Sequence, residues 1–208
     1  MPGLFLTFEG GEGSGKSTQI ERLAARLRSR GLDPVVTREP GGTPLGDRIR
    51  ALLLDHAHRP RPETEAFLLE ASRAELVAHV IRPALAAGRV VVCDRYDDST
   101  LAYQGGGRGL DTDVLRAMNR FATGGLVPDL TFLFDVDPAV GLGRRAGAGD
   151  ANRLDVEPEP FHRRVHDAYR ALAGRDPARW VVVDAAGRPD AIEQAIAAAV
   201  ESKLAAAR

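Results

Sequence analysis

The chain has 208 residues, a formal net charge of −1 and a pI near 6.5, so it carries no basic excess to follow a polynucleotide backbone, and a nucleic-acid partner is excluded on that ground. The length suits one α/β domain with a sizeable core, spanning residues 1–208. A single cysteine, Cys93, rules out an intramolecular disulfide and a thiolate zinc site, and no apolar run approaches membrane-spanning length. No charged leader precedes the first predicted strand, so a soluble, cytoplasmic protein is expected.

Leu4 to Glu9 reads as a short buried strand. Gly10-Gly11-Glu12-Gly13-Ser14-Gly15-Lys16-Ser17 follows, in the spacing of a glycine, four residues, then glycine, lysine and a hydroxyl, and Thr18 to Leu27 continues with apolar residues at helical spacing. Strand, glycine loop and helix is the context in which backbone N–H groups converge on phosphate oxygens, aided by the positive end of the helix. Lys16 is then placed to reach the β- and γ-phosphates of a nucleoside triphosphate, and the Ser17 hydroxyl to ligate Mg²⁺. The chain has only two lysines, Lys16 and Lys203. A compact ammonium between phosphates is a role that a planar guanidinium fills poorly, so the surviving Lys16 is informative.

Further strands are predicted at Pro34 to Arg38, Arg89 to Asp94, Leu130 to Val136 and Trp180 to Ala185. Continuously apolar runs such as Val90-Val91-Val92-Cys93 and Val181-Val182-Val183 predict strands buried on both faces of a parallel sheet. Helices are predicted after the glycine loop and over Gly46 to Asp55, Glu63 to Ala87 with a bend or break at Pro83, Thr112 to Thr123, Pro138 to Arg145, Glu159 to Arg175 and Asp190 to Ala206. Two segments are rich in breakers. Arg38 to Gly46 follows a strand at the edge where such sheets bind ligands, and Gly147 to Asn152 is either a mobile lid or an idle linker.

The third strand ends in Cys93-Asp94-Arg95-Tyr96, which makes Asp94 the candidate for the second carboxylate that organises Mg²⁺ and Arg95 a candidate phosphate clamp. His56 with His58, and His162 with His166, have spacings that a metal uses, but no cysteine or paired acid supports them, and they are expected to be solvated.

These residues resemble the thymidylate kinases, P-loop enzymes that phosphorylate dTMP to dTDP, over nearly the whole chain. The resemblance rests on Phe8-Glu9-Gly10, Thr37 to Thr43, Thr64-Glu65-Ala66 running to Ser72-Arg73, Asp94 to Gly105, Pro128 to Thr131 and Asn152-Arg153-Leu154-Asp155. It implies a three-layer P-loop fold with a five-stranded parallel sheet flanked by helices, a short lid over about 144–156, ATP and dTMP as substrates, Mg²⁺ as cofactor, and a homodimer. Alanine-dense stretches at 71–80 and 115–121 are the candidate dimer faces. It also implies an ATP site formed by Gly10 to Thr18 with Arg144 over adenine. Arg38 and Arg95 would hold the acceptor phosphate, Arg73 would bond the thymine edge, and Ser99, Thr100 and Gln104 would line the base pocket. Tyr103 would pack under the sugar and exclude a 2′-hydroxyl, while Glu12 would bind near the acceptor sugar and metal. Gly13 and the arginines around the lid resemble the bacterial form, in which a lid arginine reaches the transferring phosphoryl; Arg153 is the first choice and Arg145 the second.

One position departs from the family. Four residues before Arg73, where the family usually has an aromatic that stacks on thymine, stands Leu69, and Phe67 two residues away faces another side of a helix. The acceptor is a phosphate monoester with a second pKa of about 6, already ionised at neutral pH, so no general base is needed and Glu12 is assigned to binding. A deoxynucleoside kinase and an ATP-dependent switch protein stay open as alternatives. The first would need a base near a neutral hydroxyl, and the second leaves Arg73 and Ser99 to Gly105 unexplained.

Overall fold

The structure, a computed structural model, describes residues 3–146 and 152–206. Five parallel strands, β1 (Leu4–Gly10), β2 (Val35–Arg38), β3 (Val90–Asp94), β4 (Leu130–Asp135) and β5 (Trp180–Asp184), form one sheet in the order β2-β3-β1-β4-β5. Each pair is joined through helices, as parallel pairing requires. The central strands β1, β3 and β4 are buried on both faces, which is why they read as unbroken apolar runs. The edge strands differ. Val182 on β5 is 54 % exposed and β2 alternates, so the expectation of two-sided burial over Val181-Val182-Val183 fails where β5 has no neighbour on its outer side.

One layer holds α1 (Lys16–Ser29) and α9 (Pro189–Ala206), packed on Leu4, Leu6 and Phe8 of β1 and Phe132 and Phe134 of β4. The opposite layer begins with α2 (Pro44–Leu54), capped by Thr43 through its hydroxyl to the Gly46 N–H, and α3 (Pro62–Leu76). The long helix predicted to Ala87 does not simply bend at Pro83. It passes through a π-helical stretch, Val77–Ile81, that ends before the proline, and resumes as α4 (Arg82–Ala86). On the same side lie α6 (Thr112–Thr123), α7 (Pro138–Ala146) and α8 (Glu159–Arg175).

A helical segment not expected from the sequence runs from α5 (Asp97–Thr100) into a π-helix at Leu101–Gly107. Its Gly105-Gly106-Gly107 run looks like a turn but is buried packing. A Cβ on Gly106 would meet the Ala168 side chain at 2.6 Å, and one on Gly107 would meet the Phe161 ring at 2.5 Å, so these glycines let the segment lie against α8.

Register sets the site. Asp94 is paired with Phe8 of β1 on one side and Arg38 of β2 on the other, so the glycine loop, Asp94 and Arg38 leave the sheet at one level of its carboxyl edge. This is where open α/β sheets bind ligands.

Candidate active site

Two clefts meet at that edge. The phosphate cleft is lined by Glu12 to Thr18, Arg38, Asp94, Arg95, Arg144 and Arg145. The acceptor cleft is lined by Leu69, Arg73, Tyr96, Ser99, Thr100, Tyr103, Gln104 and Leu154 among others. Glu12, Glu39, Arg50, Arg95 and Asn152 belong to both.

In the loop, Lys16 is buried and donates to the carbonyl oxygens of Gly10 (3.0 Å) and Gly11 (2.9 Å) and to Ser14 Oγ (3.2 Å). Burial, then the nearby Arg95 guanidinium, pulls its pKa down to about 8. Gly13 has φ +64, and a Cβ there would overlap the carbonyl oxygen of Gly141 on α7. An arginine at that position is therefore sterically excluded, and the close approach brings α7 with Arg144 and Arg145 up to the loop.

Arg95 is the one non-glycine residue with positive φ (+70) among the described residues. Its N–H donates to the Phe8 carbonyl (3.0 Å), Nη2 to Glu12 Oε1 (2.8 Å) and Nη1 to the Tyr169 hydroxyl (3.2 Å), and its guanidinium carbon lies 4.9 Å from the centre of the Tyr103 ring. Tyr103 also donates to Glu12 Oε1 (2.8 Å). Burial pushes the Glu12 carboxyl up, but Arg95, Lys16 and the Tyr103 hydroxyl outweigh it and hold the pKa at about 2. A carboxylate so held is a poor proton acceptor, in keeping with a binding role.

Asp94 has a buried Oδ1 with no hydrogen-bond partner, and it faces the same clefts as Ser17. Among the described residues no group of three or more His, Cys, Asp or Glu could enclose a metal. An orphan carboxylate oxygen beside a hydroxyl and an open phosphate cleft suits Mg²⁺, which takes one or two protein ligands and completes its shell with phosphate and water.

Arg73 is 1 % exposed and each of its three guanidinium nitrogens is engaged within the chain. Nε donates to Glu39 Oε2 (2.8 Å), which also lies in ion-pair contact with Nη2 (2.7 Å), Nη2 donates to the Tyr96 carbonyl (3.1 Å), and Nη1 donates to Glu70 (2.5 Å), Asn119 (2.8 Å) and Thr100 Oγ1 (3.0 Å). Three acceptors compete at Nη1 for two hydrogens, so Nη1 reaches a base edge only by giving up one of them. Leu69 lines the cleft, whereas Phe67 is 65 % exposed on another face of α3.

Arg153 is not where it was expected. It is buried, donates from Nε to the Leu53 carbonyl (2.9 Å) and pairs through Nη2 with Glu65 (2.5 Å), so it is turned toward α2 and α3 rather than toward the phosphates. Arg144, bonded to the Ala185 carbonyl (2.9 Å), and Arg145, bonded to Asp155 (3.0 Å), line the phosphate cleft instead. Of the expected lid, residues 147–151 lie outside the described residues. His162 is also a correction: it is 6 % exposed, not solvated, and lies beside Gly10, Gly11 and Glu12, where burial lowers its pKa. His166 is half-buried, with Nε2 2.7 Å from Asp135 Oδ1.

Sequence reasoning missed Arg50, Asn152, Glu39, Tyr169 and Glu9. Arg50 bridges both clefts and bonds the Pro40 carbonyl (3.0 Å), and its place in the second turn of a capped helix after the breaker-rich segment was the available signal. Glu9 is fully buried beneath Arg95, accepting from the Tyr96 N–H (2.7 Å), Ser99 Oγ (2.6 Å) and the Tyr169 hydroxyl (2.8 Å). Burial first, and the Asp98 charge second, raise its pKa to about 7. The folded chain thus binds this proton more tightly than the unfolded chain, and the stability it contributes is complete below pH 4.5 and lost as pH rises to about 7. Glu9→Gln is expected to melt higher than the parent at pH 8 by up to about 3 kcal/mol of stability, with the gap closing at pH 4. Melting curves across pH test this, and a gap independent of pH would refute it.

Comparison with known proteins gives the same family at every level. The sequence model described as thymidylate kinase matches residues 8–196. The thymidylate kinase of Thermomicrobium roseum is 58 % identical over 197 residues, covering 94 % of this chain and 93 % of the relative, and that of Deinococcus radiodurans is 52 % identical over 201 residues, covering 97 % and 98 %. The crystal structure of thymidylate kinase from Ehrlichia chaffeensis superposes with a TM-score of 0.79 at 32 % identity, covering 97 % of this chain and 99 % of that one. With the glycine loop, the paired clefts and these relatives in hand, the chain belongs to the thymidylate kinase family.

Proposed function

We propose that the chain transfers the γ-phosphoryl group of ATP to the phosphate of dTMP, with the triphosphate in the cleft of the glycine loop and dTMP in the acceptor cleft. The observation that carries this reading is the shared wall: Glu12, Arg50 and Arg95 border both clefts, so two phosphate groups bound one in each would meet across them. Catalysis is then alignment and charge neutralisation. Lys16 leaves its carbonyl partners for the β- and γ-oxygens. Arg38 and Arg95 hold the acceptor phosphate, Arg50 adds positive charge at the junction, and Arg145 rather than Arg153 is assigned to the transferring group, because it stands in the cleft. Ser17 and Asp94 would hold Mg²⁺, which when bound neutralises charge on the β- and γ-phosphates. Glu12 keeps Arg95 and Tyr103 in place, and Tyr103, 4 % exposed and packed between Arg95 and Phe161, bars a 2′-hydroxyl.

Base selection rests on Leu69, Thr100 and Gln104, with Arg144 over adenine on the donor side. The reading includes a cytoplasmic homodimer. Phe67 on α3 and Val114 and Phe121 on α6 are exposed, Phe121 by 92 %, and α3 packs against α6. Among the described residues no helix is long and apolar enough to cross a membrane.

The test is ADP release with ATP and Mg²⁺, offering dTMP, dUMP, dCMP, the ribose form of TMP and thymidine side by side. dTMP is expected to be turned over fastest. dUMP should be slower by about 10- to 100-fold in kcat/KM, since one methyl group in an apolar pocket is worth only about 1–3 kcal/mol. Turnover of thymidine at the dTMP rate, or of none of the five, would sink the reading.

A further inference from the structure

Deep in the acceptor cleft the Gln104 side chain is almost wholly buried, and its two polar ends are treated differently. Nε2 donates to Glu65 Oε1 at 2.7 Å, while Oε1 is buried with no partner. Other open acceptors exist nearby, but Glu39 Oε1 belongs to a residue at the junction with the phosphate cleft, whereas Gln104 lines the acceptor cleft alone. Nη1 of Arg73, which shares Thr100 Oγ1 with this cleft, is already saturated.

Glu65 is well suited to act on Gln104. It sits in the first turn of α3, after Pro62, where the helix dipole favours a negative charge, and it is 2 % exposed. Burial opposes its ionisation, but bonds from Arg153, Gln104 and Arg108 outweigh this and lower its pKa, so near neutrality it is a carboxylate that only accepts. A carboxamide facing such a group must present NH₂. Turned the other way, its carbonyl oxygen would confront a buried carboxylate.

We propose that Glu65 is a specificity-determining positioning residue: by fixing the Gln104 carboxamide it presents Oε1 to the base as an acceptor, which pairs with the N3–H of an imide base (thymine or uracil) and opposes the N3 lone pair of cytosine. The inference rests on the acceptor cleft holding a pyrimidine monophosphate. It assigns to a residue that need not touch substrate the choice between imide and amidine pyrimidines. Sites built to hydrogen-bond a substrate reject analogues that leave buried groups unpaired far more strongly than apolar pockets reject a missing methyl.

The experiment compares kcat/KM for dTMP and dCMP in the parent, Glu65→Gln and Arg108→Met. Glu65→Gln lets the carboxamide at 104 turn, because glutamine offers both a donor and an acceptor. The dTMP-to-dCMP ratio is expected to fall at least tenfold, through a higher KM for dTMP and a lower one for dCMP, with kcat for dTMP within a few-fold of the parent. Arg108→Met removes an ion partner of Glu65 at 3.3 Å without touching the bond to Gln104, and its ratio should stay within twofold of the parent. If Glu65→Gln does not fold, Glu65→Asp carries the same expectation, since it keeps a carboxylate for Arg153 but withdraws it by one methylene from Gln104. A parent that turns over dTMP, with an unchanged ratio in the Glu65 variant, overturns the inference alone. An equal loss of ratio in Arg108→Met also overturns it, by pointing to general loosening. A parent inactive on dTMP would instead overturn the reading beneath it.

Discussion

Lys16→Ala is expected to lose at least about 10²- to 10³-fold in kcat while remaining folded, because it removes the one ammonium that can follow charge onto the transferring phosphoryl group. The folded state gains rather than loses. Holding Lys16 in a dry loop lowers its pKa from 10.5 to about 8, so below pH 8 the charged side chain costs stability, and that cost is relieved as pH rises from 8 to 10.5. Alanine forfeits the bonds to Gly10, Gly11 and Ser14 but escapes the desolvation, so the melting temperature at pH 7 should hold or rise. ADP release and thermal melting at pH 7 and pH 10 check both halves. Near-parental kcat would remove Lys16 from the mechanism.

Arg95→Met is the second large effect, and here stability and activity fall together. The residue occupies a left-handed backbone conformation that costs about 1–3 kcal/mol for a non-glycine residue, a strain sustained by the bonds its main chain and guanidinium make. Loss of the guanidinium should raise KM for dTMP and lower kcat/KM by about 10²-fold or more, the value of a charge-assisted phosphate clamp of roughly 3 kcal/mol. It also strands Glu12. With its main opposing charge gone, burial drives the Glu12 carboxyl up from about 2, and the stability that the pair gives above pH 4.5, lost in the parent only as pH falls through about 2, disappears. A cost of roughly 3–5 kcal/mol is the expected scale for such a partly sequestered pair broken on one side. Adding Glu12→Gln should recover most of the melting temperature and none of the activity. If the double variant regains turnover, Arg95 is structural and does not bind the acceptor phosphate.

The strands, the glycine loop, α1 and Asp94 at the end of β3 follow from local pattern, since a buried parallel strand, a turn and a helix start each declare themselves within a few residues. Leu101–Gly107 escaped because its three glycines serve contacts with α8, more than 50 residues further along the chain, and glycine reads as a turn when its packing partner is unseen. His162 escaped for a similar reason: nothing around it in sequence announces that α8 carries it beneath the glycine loop.

The sequence by itself determined the parts that work through contiguous backbone: a loop whose N–H groups converge on phosphate, the single lysine within it, and a carboxylate at the neighbouring strand end, all fixed by one strand-turn-helix unit. Only the tertiary structure decided where the long polar side chains point. Arg153 turns away from the phosphates to Glu65, Arg73 is consumed by Glu39, Glu70 and Asn119, and Gln104 presents its oxygen because Glu65 takes its nitrogen. A flexible side chain goes where its charge and hydrogen-bonding capacity are best met, and in this fold those partners lie 3 to 88 residues away.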